Sequence, residues 1–251
     1  MNIFQAFILG MVEGITEFLP ISSTGHLILT SKLLSINQDE FTKSFEIIIQ
    51  MGAILSVVFI YFKKLISDLR LIKVLFIAFL PSAILGFLFS DYIKNYFFNY
   101  IVVSIMLVFW GTVFILVEKL NEKRKSFRSY LDYRTAFLVG VFQCFSLIPG
   151  TSRSGATIIG GMILGLDRKT ATEFSFLLSV PTIVIASIYE FTKESQFLLN
   201  SNFSVLIVGF ITSFVFAYLS VKWLINFVSH HTFIAFGIYR ILLGLIFLVF
   251  A

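Results

Sequence analysis

Six long apolar runs most constrain what this chain can fold into. They lie at residues 45–62, 74–90, 98–117, 174–191, 204–221 and 233–250. Each approaches the roughly 20 residues that an α-helix needs to cross the hydrocarbon core of a bilayer. Of the 251 residues, 58% are hydrophobic and only 13% are charged, more apolar surface than a soluble core can bury. We therefore expect one polytopic, all-α membrane domain over residues 1–251, a helical bundle with six full spans.

Each set of three long runs is preceded by a shorter apolar stretch that is broken by a polar segment. We call residues 20–26 (Pro-Ile-Ser-Ser-Thr-Gly-His) the first motif loop and residues 149–155 (Pro-Gly-Thr-Ser-Arg-Ser-Gly) the second motif loop. The flanking apolar stretches are 4–19 and 27–34 in the first case, and 136–148 and 156–166 in the second. Proline ends a helix and glycine permits unusual turns, so we expect two pairs of re-entrant half-helices that meet at loops within the membrane.

The two halves of the chain also align residue by residue. The matched pairs include Gly10 with Gly140, Gly25 with Gly155, Ser22 with Ser152, and Glu13 with Gln143. Because three spans separate the broken elements, the second element enters from the face opposite to the first, which makes an inverted-topology repeat. We expect repeat one at about 1–120, repeat two at about 135–251, and a cytoplasmic loop at 118–134.

The distribution of basic residues gives an independent prediction of topology. If residues 63–73, 118–134 and 222–232 share one side, that side carries eleven Lys and Arg, against four on the other side. The positive-inside rule then makes the richer side cytoplasmic and places both termini outside. This topology explains the formal net charge of +5 better than nucleic-acid binding does, so we expect no nucleic-acid partner. Glu13 and Glu17 within the first apolar stretch argue against a cleaved signal peptide.

Glu13 and Glu17 are unusual because they place two carboxyl groups in an apolar segment. They lie four residues apart and therefore on one helix face. Such a pair either shares a proton or binds a cation, although hydrogen bonding to helix ends for packing alone is an alternative. Glu46 and Gln50 are also four apart at the start of a long run. They can face the same chamber, and a helix–helix hydrogen bond accounts for them equally well.

The motif loops supply groups with the chemistry of a phosphate site. His26 follows Ser22, Ser23 and Thr24, so one segment offers a nucleophile, a base and a nearby acid, although a lone histidine is more often structural. In the second loop Arg153 stands between Ser152 and Ser154. A guanidinium binds phosphate oxygens bidentately, and the helix start that follows, up to Thr157, offers backbone N–H groups to the same anion. A snorkelling arginine at the interface is the alternative.

These segments resemble those of a known family. Residues 10–26 (GMVEGITEFLPISSTGH) and 149–157 (PGTSRSGAT) are similar to the two signature segments of the bacterial undecaprenyl pyrophosphate phosphatases, the bacitracin-resistance family. The likeness covers essentially the whole chain, including residues 45–52 (FEIIIQMG). The resemblance implies hydrolysis of the C55 isoprenoid pyrophosphate to its monophosphate, which returns to cell-wall synthesis. It further implies a polyprenyl pyrophosphate lipid substrate in the bacterial cell (inner) membrane and an active site on the extracytoplasmic side.

The resemblance also implies roles for individual residues. The first segment carries the acid/base, nucleophilic and metal-associated groups, which fall on Glu13, Glu17, Ser22, Ser23 and His26. The second segment carries the phosphate-binding groups, which fall on Ser152, Arg153, Ser154 and Thr157, with Thr24 as a further substrate-binding candidate.

A mechanism follows as a hypothesis from these roles. Arg153 holds the pyrophosphate, Glu13 and Glu17 hold a divalent cation (Mg²⁺ or Ca²⁺), and His26 activates Ser23 or a water for attack. The sequence leaves open a phosphoserine, a phosphohistidine or direct hydrolysis. It also leaves open the oligomeric state, with a homodimer as one expectation.

A lipid-phosphate transporter or flippase is the main alternative function. Inverted repeats with broken helices are the architecture of alternating access, and a transporter can bind lipid phosphate with the same arginine. An ion channel fits less well, because histidine and serine beside carboxylates are not a filter pattern.

Overall fold

The protein folds into α-helices joined by short loops. The computed structural model describes residues 1–97, 99–194 and 203–250. Its helices are α1 (Ile3–Thr16), α2 (Ser23–Leu33), α3 (Glu40–Ser67), α4 (Leu69–Phe97), α5 (Tyr100–Glu122), α6 (Tyr133–Cys144), α7 (Arg153–Ile163), α8 (Arg168–Glu194), α9 (Phe203–His230) and α10 (Ile234–Phe250). A short 3-10 turn, Phe145–Leu147, follows α6. No strand occurs in these three ranges, in agreement with the all-α expectation.

Five of the helices are long and apolar enough to cross a membrane. These segments are Glu40–Ser67, Leu69–Phe89, Tyr100–Glu122, Arg168–Glu190 and Phe203–His230, with mean hydropathies between 1.7 and 2.5. They coincide with five of the six predicted spans, and the chain is a multi-pass membrane protein. Phe98, the first residue predicted for the third span, lies outside the described residues. The sixth predicted span, 233–250, coincides with α10, which has only 17 residues and stands at the lower limit for spanning a bilayer.

Polar side chains fix where several helices begin. Asp39 accepts a hydrogen bond from the backbone N–H of Thr42 at the start of α3, and Asp132 accepts one from Thr135 at the start of α6. Asn99 does the same for α5. Such N-caps satisfy amide groups that have no partner within the helix, so each apolar run starts at a defined residue.

Two pairs of short helices replace the two broken stretches. α1 and α2 are joined by residues 17–22, and α6 and α7 by the 3-10 turn and residues 148–152. Both second helices begin earlier than the sequence indicates, inside the motif loops, because Ser22 and Ser152 cap them. As a result Ser23 and Arg153, which belong to the two motif loops, are already the first residues of α2 and α7.

Helices from the two halves of the chain exchange partners. α1 packs on α9, whereas α6 packs on α4, and α5 pairs with α10. Close approach at glycine marks the first two contacts: a Cβ atom on Gly10 would lie 2.5 Å from the carbonyl oxygen of Gly209, and one on Gly140 would lie 2.1 Å from that of Ala78. Small residues let membrane helices pack backbone to backbone. In this arrangement the connections within both short helix pairs line one cavity.

Candidate active site

A polar cavity of about 200 Å³ lies where the two motif loops meet. Its wall includes Glu17, Ser22, Ser23 and Thr24 from the first half of the chain and Ser152 and Arg153 from the second. Six of the residues that the sequence predicts for the site therefore share one cavity. Ionisable and hydroxyl groups of this density are expensive within a membrane bundle, which indicates a functional site.

Glu17 connects the two halves of the cavity. Its Oε2 accepts a hydrogen bond from the Ser23 hydroxyl at 2.7 Å, and its Oε1 accepts one from the Arg153 guanidinium at 2.8 Å. The two charged side chains are only 5% and 11% exposed. Arg153 also donates to the carbonyl oxygen of Ser175 at 3.0 Å, while its Nε has no partner among the described residues. Arg153 thus retains one N–H donor without a protein partner, in a site that is almost closed to solvent.

Glu13 lies one helical turn before Glu17 on α1. It is 1% exposed, and its Oε2 has no hydrogen-bond partner among the described residues. The carboxyl group of Glu46 on α3 lies within electrostatic reach. An unpartnered carboxylate oxygen at this depth is costly unless it is protonated or binds a cation, so both options raised by the sequence remain.

The N-termini of α2 and α7 form part of the cavity wall. Ser22 and Ser152 have φ of 74° and 71°, in the left-handed region that side chains other than glycine seldom adopt. Their hydroxyl oxygens accept hydrogen bonds from the backbone N–H groups of Gly25 and Gly155 at 3.4 and 3.1 Å. Helix N-termini favour anions. Two such ends and Arg153 line one cavity, an arrangement suited to an anion, and phosphate binding stays a prediction.

His26 has a different environment from the one predicted. Its Nδ1 lies 2.8 Å from the carbonyl oxygen of Ser22, and its Nε2 lies 2.6 Å from the Tyr239 hydroxyl. A carbonyl oxygen only accepts, so Nδ1 carries the proton and Nε2 of the neutral ring accepts from Tyr239. Both ring nitrogens are engaged away from Ser23, whose hydroxyl donates to Glu17. The residue in contact with the Ser23 hydroxyl is therefore Glu17 and not His26.

Ser154 and Thr157 lie behind the cavity wall. The Ser154 hydroxyl donates to the carbonyl oxygen of Leu19 at 3.1 Å, which ties the second motif loop to the residue that precedes the first. The Thr157 hydroxyl lies 2.7 Å from that of Ser175, on α8. Both residues are at most 1% exposed. Their contacts are with protein groups that support Arg153, and direct substrate binding by either residue stays a prediction.

Polar residues outside the motif loops form a second wall. Gln50 on α3, together with Ser146 and Thr182, lines the same cavity. Thr182 shares hydrogen bonds with Gln143, the counterpart of Glu13 in the sequence alignment of the two halves. Gln50 has no protein partner in the described part of the chain, so its amide is available to a ligand. Gln50 therefore faces the chamber, whereas Glu46 is not among the residues that line it.

Two residues of α10 that the sequence did not single out contribute to the site. Tyr239 holds the ring of His26. Arg240 is fully buried and donates to carbonyl oxygens in both motif loops. Both residues lie about 90 or more positions from the groups they contact. The one available signal was an arginine within an apolar run, which is rare in membrane helices.

The acidic pair offers two carboxylates to a divalent cation, and binding of such an ion stays a prediction. In the described ranges no set of three His, Cys, Asp or Glu side chains is arranged to hold a metal by itself. Mg²⁺ is commonly held by one or two carboxylates plus the phosphates of its substrate. The partnerless oxygen of Glu13 fits such a shared site.

Comparison with known proteins places the chain in a family. The family described as "Bacitracin resistance protein BacA" matches residues 6–246. A protein from Sulfurihydrogenibium sp. (strain YO3AOP1), named undecaprenyl-diphosphatase, is 54% identical to the chain, and the match covers 98% of both sequences.

Two further relatives carry the same name. The one from Persephonella marina is 55% identical over 100% of this chain and 99% of its own length, and the one from Aquifex aeolicus is 48% identical with the same coverage. A match over nearly the full length at this identity shows common descent of the whole domain. This chain belongs to the BacA bacitracin resistance family.

Proposed function

We propose that the protein is a membrane enzyme that hydrolyses undecaprenyl pyrophosphate to undecaprenyl phosphate and phosphate, and so recycles the lipid carrier for cell-wall synthesis. The main support for this proposal is Glu17, whose carboxylate accepts hydrogen bonds from both the Ser23 hydroxyl and the Arg153 guanidinium in one cavity. The names of the family and of its relatives support the same reaction. Resistance to bacitracin fits the family description.

Substrate binding is assigned to Arg153 and the two helix N-termini. Arg153 offers its unpartnered Nε to the terminal phosphate and can exchange its bond with Glu17 for a second phosphate oxygen. Arginine is suited to this because its planar group binds phosphate bidentately. The exchange leaves Glu17 free to accept a proton, so binding prepares the base for the reaction.

The chemical step is an attack on the terminal phosphorus. Glu17 takes the proton of the Ser23 hydroxyl as the Ser23 oxygen bonds to phosphorus, and the bridging P–O bond breaks to release undecaprenyl phosphate. A water molecule then attacks the same phosphorus and the bond between phosphorus and the Ser23 oxygen breaks. Glu17 gives its proton back to the Ser23 oxygen, and the two hydrogens of the water leave with the released phosphate. Donors aimed at the phosphoryl oxygens stabilise the developing charge and supply much of the acceleration. Direct attack by a water in place of Ser23 uses the same base.

Glu13, together with the Oε1 of Glu17 that Arg153 releases, would hold a divalent cation, Mg²⁺ or Ca²⁺, while the Oε2 of Glu17 takes the Ser23 proton. When bound, the ion would neutralise part of the pyrophosphate charge and orient its oxygens. The two-carboxylate arrangement favours Mg²⁺, because Ca²⁺ takes six to eight oxygen ligands.

The architecture assigned to the protein is an inverted repeat with six spans and two pairs of re-entrant half-helices. The exchange of α4 and α9 between the halves and the matched caps at Ser22 and Ser152 support it. The eleven-to-four bias in Lys and Arg supports a cytoplasmic position for residues 118–134, with the cavity opening to the extracytoplasmic side of the bacterial inner membrane. We also propose that the protein forms a homodimer.

Release of phosphate from a polyprenyl pyrophosphate distinguishes the enzyme from a transporter. We expect purified wild-type protein in detergent to release phosphate, a chelator to abolish release, and Arg153→Ala to lower the rate by at least about 10²-fold. Movement of labelled lipid phosphate across liposomes without any release would contradict the proposal and establish transport.

A further inference from the structure

The guanidinium of Arg240 joins the two motif loops from behind the cavity. Its Nη1 donates to the carbonyl oxygen of Pro20 at 3.0 Å, and its Nη2 donates to those of Gly150 and Thr151, both at 2.8 Å. Arg240 is 0% exposed and stacks on the ring of Phe114 at 5.7 Å. A single side chain thus binds the first loop and the second loop at once.

The charge of Arg240 is balanced by backbone dipoles and not by an ion pair. No carboxylate in the described ranges pairs with it, and its Nε has no partner there. Burial of a cation without a counter-ion costs free energy, and membrane proteins retain such groups where they have a function. An apolar residue would have packed this position at lower cost.

The second loop has a backbone shape that turns its carbonyl groups toward Arg240. Gly150 has φ of +90°, in the left-handed region, and a Cβ atom there would lie 2.5 Å from the carbonyl oxygen of Val103. Only glycine fits this position. Gly150 and Thr151 directly precede Ser152 and Arg153, so fixing these carbonyl groups fixes the start of α7.

The hydrogen bonds of Arg240 are needed because the other charged link across the site, the Arg153–Glu17 pair, has to open when substrate binds. Arg153 on the second loop pairs with Glu17, three residues before the first loop, and a phosphate group competes with Glu17 for the same guanidinium. Arg240 does not line the cavity, so its three hydrogen bonds persist while Arg153 binds substrate. A displacement of about 1 Å between reacting groups can cost about 10²-fold in rate.

We infer that Arg240 is a positioning residue, which holds Ser23 on one loop and Arg153 on the other at reacting distance while the Arg153–Glu17 pair opens. It acts through the backbone of both loops and does not touch the substrate. Its kinetic consequence rests on the proposed hydrolysis, whereas its effect on the distance between the loops does not.

Two substitutions separate positioning from charge and from folding. Arg240→Lys keeps the charge but replaces the planar fork by a single ammonium group, and Arg240→Gln avoids a buried charge while keeping two donors. We expect kcat for phosphate release to fall about 10-fold in Arg240→Lys and about 10²-fold in Arg240→Gln, with KM changed by less than about threefold. Arg168→Lys, in a bidentate pair with Glu118 outside the cavity, is the matched control and should keep the wild-type kcat per folded protein.

The distance between the loops is measured separately. One spin label is placed on Thr24→Cys in the first loop and the other on Phe145→Cys in the 3-10 turn that leads into the second loop. Both are made in a background with Cys144→Ser that removes the one native cysteine, and double electron–electron resonance reports the distance between them. We expect a narrow distribution with Arg240 and a broadened one in Arg240→Gln. An unchanged distribution, a wild-type kcat in both variants, or a raised KM at constant kcat would each overturn the inference. A wild-type protein that releases no phosphate contradicts the function, and the distance measurement still tests Arg240.

Discussion

Glu17 holds both the group proposed to attack and the group proposed to bind phosphate. Its two oxygens accept from Ser23 and from Arg153, while the side chain is nearly excluded from solvent. Charge-assisted hydrogen bonds are about twice as strong as neutral ones, and this stabilises a carboxylate that would otherwise be costly to bury. The three residues therefore form one unit, and their substitutions should be strongly non-additive.

The contacts of His26 predict a smaller kinetic role than that of Glu17. Tyr239→Phe removes the hydroxyl at Nε2, and His26→Asn removes the ring. We expect each to lower kcat by about 10-fold or less, whereas Glu17→Gln should lower it by about 10²- to 10⁴-fold, the usual range for a general base. Initial rates of phosphate release rank the three variants. A loss in His26→Asn that equals the loss in Glu17→Gln would return the role of base to His26.

The amide of Gln50 gives a second prediction for a single residue. It lines the cavity without a protein partner in the described ranges, so Gln50→Leu removes no hydrogen bond from the resting protein. If the amide binds the charged substrate, kcat/KM should fall about 10-fold, equivalent to about 1.4 kcal/mol, while thermal stability stays unchanged.

Gln143→Leu is the matched control for Gln50. Gln143 donates to the hydroxyls of Ser82 and Thr182, and its removal leaves buried polar groups without a partner. We expect it to lower the free energy of unfolding by about 1–3 kcal/mol. Thermal melts and kcat/KM are measured on both variants. An unaltered kcat/KM in Gln50→Leu would show that the Gln50 amide does not bind the substrate.

Part of the site could be predicted from the sequence because it lies in contiguous motifs. Glu17, Ser23 and Arg153 stand out as polar groups within apolar stretches, and the structure brings them together. The contacts of Tyr239 and Arg240 could not be predicted, because they depend on how α10 packs against both loops. The sequence predicted that His26 contacts Ser23, because the two residues are close in sequence. In the structure α2 begins at Ser23, and the His26 ring is hydrogen-bonded to Tyr239 instead.

At the scale of helices, close packing at glycine explains how the broken elements are held. A Cβ atom on Gly140 would lie 2.1 Å from a backbone oxygen of α4, which cannot move aside. Gly140→Ala should therefore destabilise the protein by about 1–3 kcal/mol. Gly86→Ala, where the nearest atom lies 3.5 Å away on Leu147, is the control and should be neutral or stabilising by up to about 1 kcal/mol.

Denaturant titrations in detergent measure both glycine variants. Equal stability of Gly140→Ala and Gly86→Ala would contradict the close contact between α4 and α6. The apolar runs predicted the long helices, since hydrophobic length alone determines whether a segment can span. The starts of α2 and α7 were predicted a few residues late, because the capping role of Ser22 and Ser152 depends on backbone angles that the sequence does not reveal.

At the scale of the whole molecule, the proposed topology places the cavity and the basic loops on opposite sides. Lys125→Cys and Asn37→Cys, each in a Cys144→Ser background, provide one exposed thiol in residues 118–134 and one in the loop before α3. We expect a membrane-impermeant maleimide to label Asn37→Cys in intact cells and Lys125→Cys only after the membrane is opened. Labelling of both from the same side would contradict the inverted arrangement.

In the proposed mechanism, Ser23, Glu17 and Arg153 act as one unit that breaks the pyrophosphate bond. The most direct measurement is the rate of phosphate release from undecaprenyl pyrophosphate by purified Ser23→Ala. The control is Ser229→Ala, at a serine on α9 whose hydroxyl donates to the carbonyl oxygen of Ile225 in the same helix. If this unit breaks the bond, Ser23→Ala should lose at least about 10³-fold of the rate with an unchanged melting temperature, and Ser229→Ala should keep the wild-type rate. A Ser23→Ala protein that is folded and releases phosphate at the wild-type rate would contradict this mechanism.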